Sequence, residues 1–294
     1  MELVSYIIPT KLGETHTILP LGDIQYTGKN GSTAFRLLQE AIEYGQRHKA
    51  WYLGQGDYID YASPSNRQRL EAAALYDTAK QVHDDTAIRL VDELYKDYLQ
   101  PTTGRWLGML EGHHWAKLES GGTSDQYLCG LTKTRFLGTC AYVGLTFVDR
   151  DNPNKRYGRV NIWTHHGTGS GPSAAAPVAK IENSVYAEWE ADIYIIGHMT
   201  KIAAAPKNRV YPIWEGTAHL SHRKKLLVGS GGFSKAYEEN SKQGTVPRGG
   251  YVEQGMMKPA VLGCPIIRIT PFLERTYIGK KEWQKWLPKL TAEV

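Results

Sequence analysis

The stretch Trp51-Tyr52-Leu53-Gly54-Gln55-Gly56-Asp57-Tyr58-Ile59-Asp60 constrains this chain more than any other. It is a short apolar run of the length of a buried strand, ended by a carboxylate with glycine beside it. With no side chain crowding it, an aspartate at such a strand end can be shared between two cations. A fold that uses the element in this way must bring further ligands to the same place, and the chain carries them. Leu21-Gly22-Asp23-Ile24-Gln25 lies upstream. Downstream come Gly112-His113-His114, Thr164-His165-His166-Gly167 and Ile196-Gly197-His198-Met199-Thr200.

Each of these blocks sits where a strand should end. His16–Leu21 reads as a buried strand delivering Gly22-Asp23 to its carboxyl end, where open α/β sheets place their ligands. Ser32 is a candidate cap for a helix in which Ala34, Leu37, Leu38, Ala41 and Ile42 recur at helical spacing up to about Lys49. Residues 65–99 read as helical and stop before Pro101, and Trp106–Leu110 resumes as a strand running into His113-His114. A helix over Ser124–Phe136 precedes strands Ala141–Val148 and Arg159–Trp163. A helix from Ser173 or Pro177 to Glu190 then leads to the strand Asp192–Ile196. The glycine loop Gly167-Thr168-Gly169-Ser170-Gly171 reads either as a linker or as a contact for substrate phosphate. Beyond residue 200 the β signals Val210–Trp214, Lys225–Val228 and Pro265–Thr270 suggest the second sheet of a sandwich, and Gly244–Tyr251 a loop. No boundary divides the chain, so a single domain over 1–294 is expected, with a motif-bearing core over about 16–200 and a β-rich part over about 201–275.

As an ordered set these blocks resemble the calcineurin-like metallophosphoesterases, whose motifs run D-x-H, G-D-x-x-D, G-N-H-D/E, an H-x-G or H-x-P element, and G-H-x-H. The resemblance covers roughly residues 16–200. It implies an α/β fold, a four-layer α/β/β/α sandwich of two mixed sheets flanked by helices. It also implies hydrolysis of a phosphoester by metal-activated water at a pair of divalent ions. Carried over residue by residue, Asp23 matches the first-metal ligand and Asp57 the bridging aspartate. His113 stands at the Asn position, His114 at the catalytic histidine, and His198 at the first His of G-H-x-H. In the fourth block His165, directly at the end of the strand, is the favoured ligand, with His166 the alternative. Asp60 is expected to act from behind the site or to cap a helix.

The departures fall on one metal. Gln25 and Thr200 stand where the family places histidines, which leaves a first site of Asp23, Asp57, Gln25 and Thr200 built from oxygen and suited to Mn²⁺ or Mg²⁺. Asp57 with His113, His165 and His198 makes a borderline site suited to Zn²⁺, Fe²⁺, Ni²⁺ or Mn²⁺. One tight and one labile metal are expected, and His16, His219 or His222 are candidates to replace a missing ligand in space.

Composition sets the remaining bounds. A formal net charge of +5 over 294 residues suits a polyanionic substrate without demanding nucleic acid. The basic segments Lys201–Arg209 and Arg223-Lys224-Lys225 lean toward a phosphodiester, a nucleic acid or nucleotide. A phosphomonoesterase or protein phosphatase, or a binding protein that has lost catalysis with its first metal, are the alternatives. No G-x-S-x-G, P-loop or H-E-x-x-H competes. Cys129, Cys140 and Cys264 are too widely spaced for a disulfide framework or a metal site. The start of the chain lacks a basic n-region, and no stretch has the apolar length of a bilayer span, so a cytoplasmic enzyme without membrane contact is expected.

Overall fold

A computed structural model describes residues 1–29, 32–73, 76–169, 171–214, 218–243, 245–256, 258–278 and 281–294. In chain order its elements are β1 (Glu2–Thr10), β2 (His16–Leu21), α1 (Phe35–Arg47), β3 (Trp51–Gly54), α2 (Pro64–Ala72), α3 (Asp77–Leu94), β4 (Trp106–Met109), α4 (Ser124–Thr132), β5 (Cys140–Asp149), β6 (Arg156–His165), α5 (Ala176–Ser184), β7 (Ile193–Ile196), β8 (Ile202–Ile213), β9 (His219–Ser230), β10 (Lys242–Gln243), β11 (Val246–Pro247), α6 (Tyr251–Gln254), β12 (Ile266–Thr270), β13 (Leu273–Ile278), β14 (Lys281–Trp286) and β15 (Lys289–Glu293).

The fold is α/β, with two mixed sheets flanked by helices. One sheet has the order β1-β5-β6-β7-β9-β8 and the other β15-β12-β2-β3-β4. Strands alternate their faces, so every second residue is available to the partner sheet. Ile18, Leu53, Leu107 and Ile267 of the five-stranded sheet share a buried cluster with Val143, Ile162, Ile193 and Val228 of the six-stranded one. The intervening residues point outward. Leu19, Leu21, Tyr52, Trp106 and Met109 pack under Leu38 and Ile42 of α1, Val91 and Leu94 of α3, and Leu128 of α4. On the far side Trp163, Tyr194 and Leu227 pack under Ile181 of α5.

Several sequence expectations shift in detail. Ser32 does not cap α1, which begins at Phe35 without a side-chain cap, while the hydroxyl of the neighbouring Thr33 donates to the Ile24 carbonyl. The helical stretch after residue 60 is two helices, the first capped by Ser63. The strands expected at 210–214, 225–228 and 265–270 do not make a sheet of their own, although β10 with β11 and β13 with β14 form separate two-stranded sheets. β8 and β9 extend the sheet that carries β6 and β7, and β12 joins β2. Ser170 and Gly244, within two of the expected loops, lie outside the described residues. Among the described residues no helix is long and apolar enough to cross a membrane.

What this topology does for the site is direct. β2, β3 and β4 run parallel in one sheet, and β6, β7 and β9 run parallel in the other. The two parallel sets end at one shared edge, where the Asp23 and His166 side chains of the two sheets meet, respectively, the His198 backbone and the Gln55 carbonyl across the gap.

Candidate metal centre

Each strand at this edge hands its last residues to a tight turn. Nine described non-glycine residues have positive φ, and five of them are Asp23 (48°), Gln25 (49°), Asp57 (52°), His198 (65°) and Thr200 (51°). The left-handed region costs energy for any residue with a β-carbon, most for a β-branched one such as Thr, and such conformations gather where a site holds side chains in place. The turns are locked to one another: the Asp23 N–H donates to the Gly56 carbonyl at 2.9 Å, and the Gln25 N–H to the Asp57 carbonyl at 2.9 Å. Glycine is required where the turns touch. A β-carbon on Gly112 would lie 2.0 Å from the Asp57 nitrogen, and one on Gly56, at φ +88°, would lie 2.6 Å from the Gly112 α-carbon.

Strand parity decides which histidine of the fourth block enters the site. Val160 and Ile162 of β6 face the inter-sheet core, so Thr164 and His166 continue that face, while Trp163 and His165 look outward. The Thr164 hydroxyl accordingly donates to Gln55 Oε1 across the gap at 3.1 Å. His166, not His165, joins the cluster, which corrects the expectation drawn from the strand end. His165 accepts the Gly167 N–H on Nδ1 at 2.7 Å and stacks on Trp163, with ring centroids 5.9 Å apart.

His166 is buried, and its Nδ1 lies 2.6 Å from the Gln55 carbonyl oxygen. A carbonyl only accepts, so Nδ1 carries the hydrogen and Nε2 keeps its lone pair in the neutral ring. Nε2 stands 3.4 Å from Asp57 Oδ2. The Nδ1 atoms of His113 and His198 are 3.1 Å apart, and ligand nitrogens of His113, His166 and His198 all lie within 4.8 Å of one another. Two donors each about 2.1 Å from a tetrahedral cation stand about 3.4 Å apart, so these spacings suit a metal. Buried polar atoms are nearly always partnered. Five described side-chain atoms are not, and Asp23 Oδ1, Asp57 Oδ2 and His166 Nε2 are three of them.

Asp23 and Asp57 reach the edge fully buried, each with one oxygen engaged. Asp23 Oδ2 accepts the His198 N–H at 2.8 Å, and Asp57 Oδ1 accepts the backbone N–H groups of His113 and His114. Gln25 and Thr200 open onto a cleft of about 450 Å³ together with Asp57, His114, His198, Lys201, Ser234 and Lys258. None of the distant histidines fills the place of the two missing imidazoles. His16 opens β2 and bonds Thr10, and His222 bonds Asn208 and pairs with Val210, eight residues and about 26 Å of strand from the site end of β9. His219 lies farther along the same strand.

His114 lines the cleft with its Nδ1 2.6 Å from Asp60 Oδ1. Asp60 therefore holds a histidine and caps no helix. The bond to Asp60 raises the pKa of His114. Burial lowers that of His198 to about 4, and His166 and His113 reinforce the effect. Burial lifts Asp23 to about 7. For His166 burial opposes the charged ring, but the Asp57 carboxylate, with Asp23, outweighs it and brings the ring to about 9, while Asp57 itself falls well below the usual carboxylate range. Without a metal, a proton on His166 thus occupies the space a cation would take.

Three supporting residues escaped the sequence reading. Gln55 orients His166 and was in plain view inside the Gly-Gln-Gly-Asp run. Asp125, buried at the start of α4, accepts the Gly112 N–H at 3.1 Å, and burial lifts it to about 7. Arg67 of α2 donates to the carbonyls of Ala62, His113 and Trp115 and lies over the Trp115 ring at 3.9 Å, bracing the loop that carries His113 and His114. Nothing near Asp125 or Arg67 in sequence marks them. Beside this loop is a separate cavity of about 630 Å³, lined by Tyr61, Arg67 and His83 among others and by none of the clustered histidines.

The basic segments after residue 200 turn away from the cleft. Lys207 pairs with Glu182, Arg209 and Lys225 pair with Glu190, and Arg223 pairs with Asp192. Only Lys201, at the start of the first segment, lines it. Comparison with family models, curated proteins and solved structures finds no match to this chain.

Proposed function

We propose that this chain is a metal-dependent phosphoester hydrolase of the calcineurin-like metallophosphoesterase type, built on that superfamily's α/β/β/α sandwich and acting on a phosphodiester. The observation that carries the reading is the convergence of Asp23, Asp57, His113, His166 and His198 at one edge shared by two sheets, with three buried polar atoms there, Asp23 Oδ1, Asp57 Oδ2 and His166 Nε2, that lack a well-formed hydrogen bond. Asp57, His113, His166 and His198 would hold a borderline cation such as Zn²⁺, Fe²⁺, Ni²⁺ or Mn²⁺. Asp23, with Asp57 shared and Gln25 and Thr200 as oxygen donors, would hold a harder one, Mn²⁺ or Mg²⁺. A bound metal pair supplies an activated water and neutralises charge on the phosphoryl oxygens.

The chain's own residues do the remainder. Gln55 fixes the tautomer and orientation of His166. Asp60 keeps a proton on His114, whose other ring nitrogen can give a proton to the leaving oxygen. Lys201 and Lys258 add positive charge on the Gln25 and Thr200 side of the cleft, where a phosphate would be drawn in.

Metal analysis coupled to turnover of bis-p-nitrophenyl phosphate tests this. Retention of about one tight equivalent, with turnover on addition of Mn²⁺, is expected. Faster turnover of p-nitrophenyl phosphate would make the enzyme a monoesterase. A single retained metal with no turnover of either ester would favour a phosphoester-binding protein, a reading that rests on Gln25 and Thr200 standing at the weaker site.

A further inference from the structure

The segment after β9 leaves the metal centre and forms the wall of a second cavity. The Phe233 N–H donates to the Asp23 carbonyl at 2.9 Å, so the chain starts this path at the ligand turn itself. Ser234 bridges Thr33, and the Lys235 N–H donates to the Ser32 carbonyl at 2.8 Å. Ser234 and Ala236 line the metal cleft. Ala236 and Tyr237 line a groove of about 550 Å³ against the start of α1, with Phe35, Leu37 and Leu262. Ala236 and Ala260 belong to both cavities, so cleft and groove adjoin at these residues.

The groove differs in character from the cleft. Its walls are apolar and aromatic, and the two cations among them, Arg36 and Lys235, are paired with Glu40 and Glu238. Phe35 is held rigid by stacking on Tyr98 at 5.2 Å and by an edge contact with Tyr26. Leu37 and Tyr237 are 37% and 45% exposed. The groove opens beside the residues that line the metal edge, Ser234 and Ala236. A planar apolar group carried a short step from a phosphate is what a nucleobase offers, and a lipid chain would need a longer apolar channel.

We propose that this groove seats a nucleobase, so that the substrate is a nucleoside phosphodiester lying from the metal edge to Tyr237. The inference rests on the hydrolase reading above. The full chain loaded with Mn²⁺ is assayed on thymidine 5′-monophosphate p-nitrophenyl ester and on methyl p-nitrophenyl phosphate, which has neither a base nor a second ring. Stacking a base contributes roughly 5- to 150-fold, and a preference of at least about tenfold in kcat/KM for the thymidine ester is expected. Leu37→Glu and Tyr237→Ala should each cut that preference, mainly through KM. Calorimetry gives a readout free of turnover: thymidine 5′-monophosphate should bind more tightly than inorganic phosphate, and both substitutions should narrow the gap. Thymidylyl-thymidine and a single-stranded oligonucleotide, followed for mononucleotide release, distinguish a free dinucleotide from a strand end. Equal kcat/KM for the two esters with equal affinity for the two ligands would overturn the groove assignment and leave the hydrolase intact. No turnover of any ester would instead overturn the hydrolase, and the calorimetric comparison would still decide the groove.

Discussion

The carbonyl oxygen of Gln55, on the turn after β3, fixes the ring of His166, at the end of β6, through a 2.6 Å bond that joins the two sheets. Nε2 of the same ring is thereby aimed at Asp57 Oδ2, 3.4 Å away. His166→Ala should therefore remove the tightly held metal, with at least a 100-fold loss of affinity measured by competition with a chelator. His165→Ala should leave metal content unchanged and cost about 1 kcal/mol in denaturant unfolding, the worth of its bond to Gly167.

Proton linkage gives a second prediction. In the metal-free protein burial keeps a proton on Asp23 up to about pH 7, and the Asp57 carboxylate keeps one on His166 up to about pH 9, and each metal must displace the proton on its own ligand. Apparent affinity should fall about tenfold per pH unit below 9 at the tighter site, which holds His166, and about tenfold per unit below 7 at the weaker one, which holds Asp23. Stability should move oppositely. Both folded-state pKa values are raised, so the metal-free chain has their stabilisation in full below the unfolded values, about 3.8 for Asp23 and 6.5 for His166, and loses it as pH rises through 7 and then 9. Melting temperatures measured from pH 6 to 9 should fall with chelator present, and with saturating metal should rise only to about pH 7 and then level off.

His114 and Asp60 make a separable pair. His114→Ala should reduce turnover by roughly 10²- to 10⁴-fold with metal retained, the usual scale of acid–base assistance. Asp60→Asn removes the carboxylate that raises the His114 pKa. The alkaline limb of the pH–rate profile should then move to lower pH, because the proton needed by the leaving group is lost sooner. An unmoved limb would show that His114 is not the acid.

At Thr200 stability and function should part. A β-branched residue at φ 51° is strained, and Asn tolerates that conformation far better. Thr200→Asn should raise unfolding stability by about 1 kcal/mol, within the cost of such conformations. The double substitution Gln25→His and Thr200→His should tighten the weaker site and shift the activating metal toward Zn²⁺ or Co²⁺. Two equally tight metals in the unmodified chain, by titration, would show that this site is completed in another way.

Much of this architecture could be read from the residues because its signals are local. Short apolar runs ending in Gly-Asp or Gly-His mark β2, β3 and β7 and the site residues Asp23, Asp57 and His198 without any knowledge of pairing. Proximity to the strand end favours His165, but parity decides for His166: Val160 and Ile162 set the inward face of β6, and counting by two reaches His166. Other features depend on pairing that no local pattern records. The basic residues of β8 and β9 look like a substrate surface in sequence, yet Glu182, Glu190 and Asp192, brought to them by the fold, neutralise four of them. Arg67 is invisible for the same reason, since two of its three partners are backbone carbonyls nearly fifty residues away.

Asp23 and the His198 N–H that it accepts are 175 residues apart in the chain. Contacts of such separation form only after intervening loops close, which makes them slow and late in folding. Asp23 and Asp57, on adjacent strands of one sheet, can come together early, whereas the histidines of the other sheet join them only once the two sheets dock. Metal uptake should accordingly appear in refolding experiments as a final, metal-concentration-dependent phase following the burial of Trp51 and Trp163.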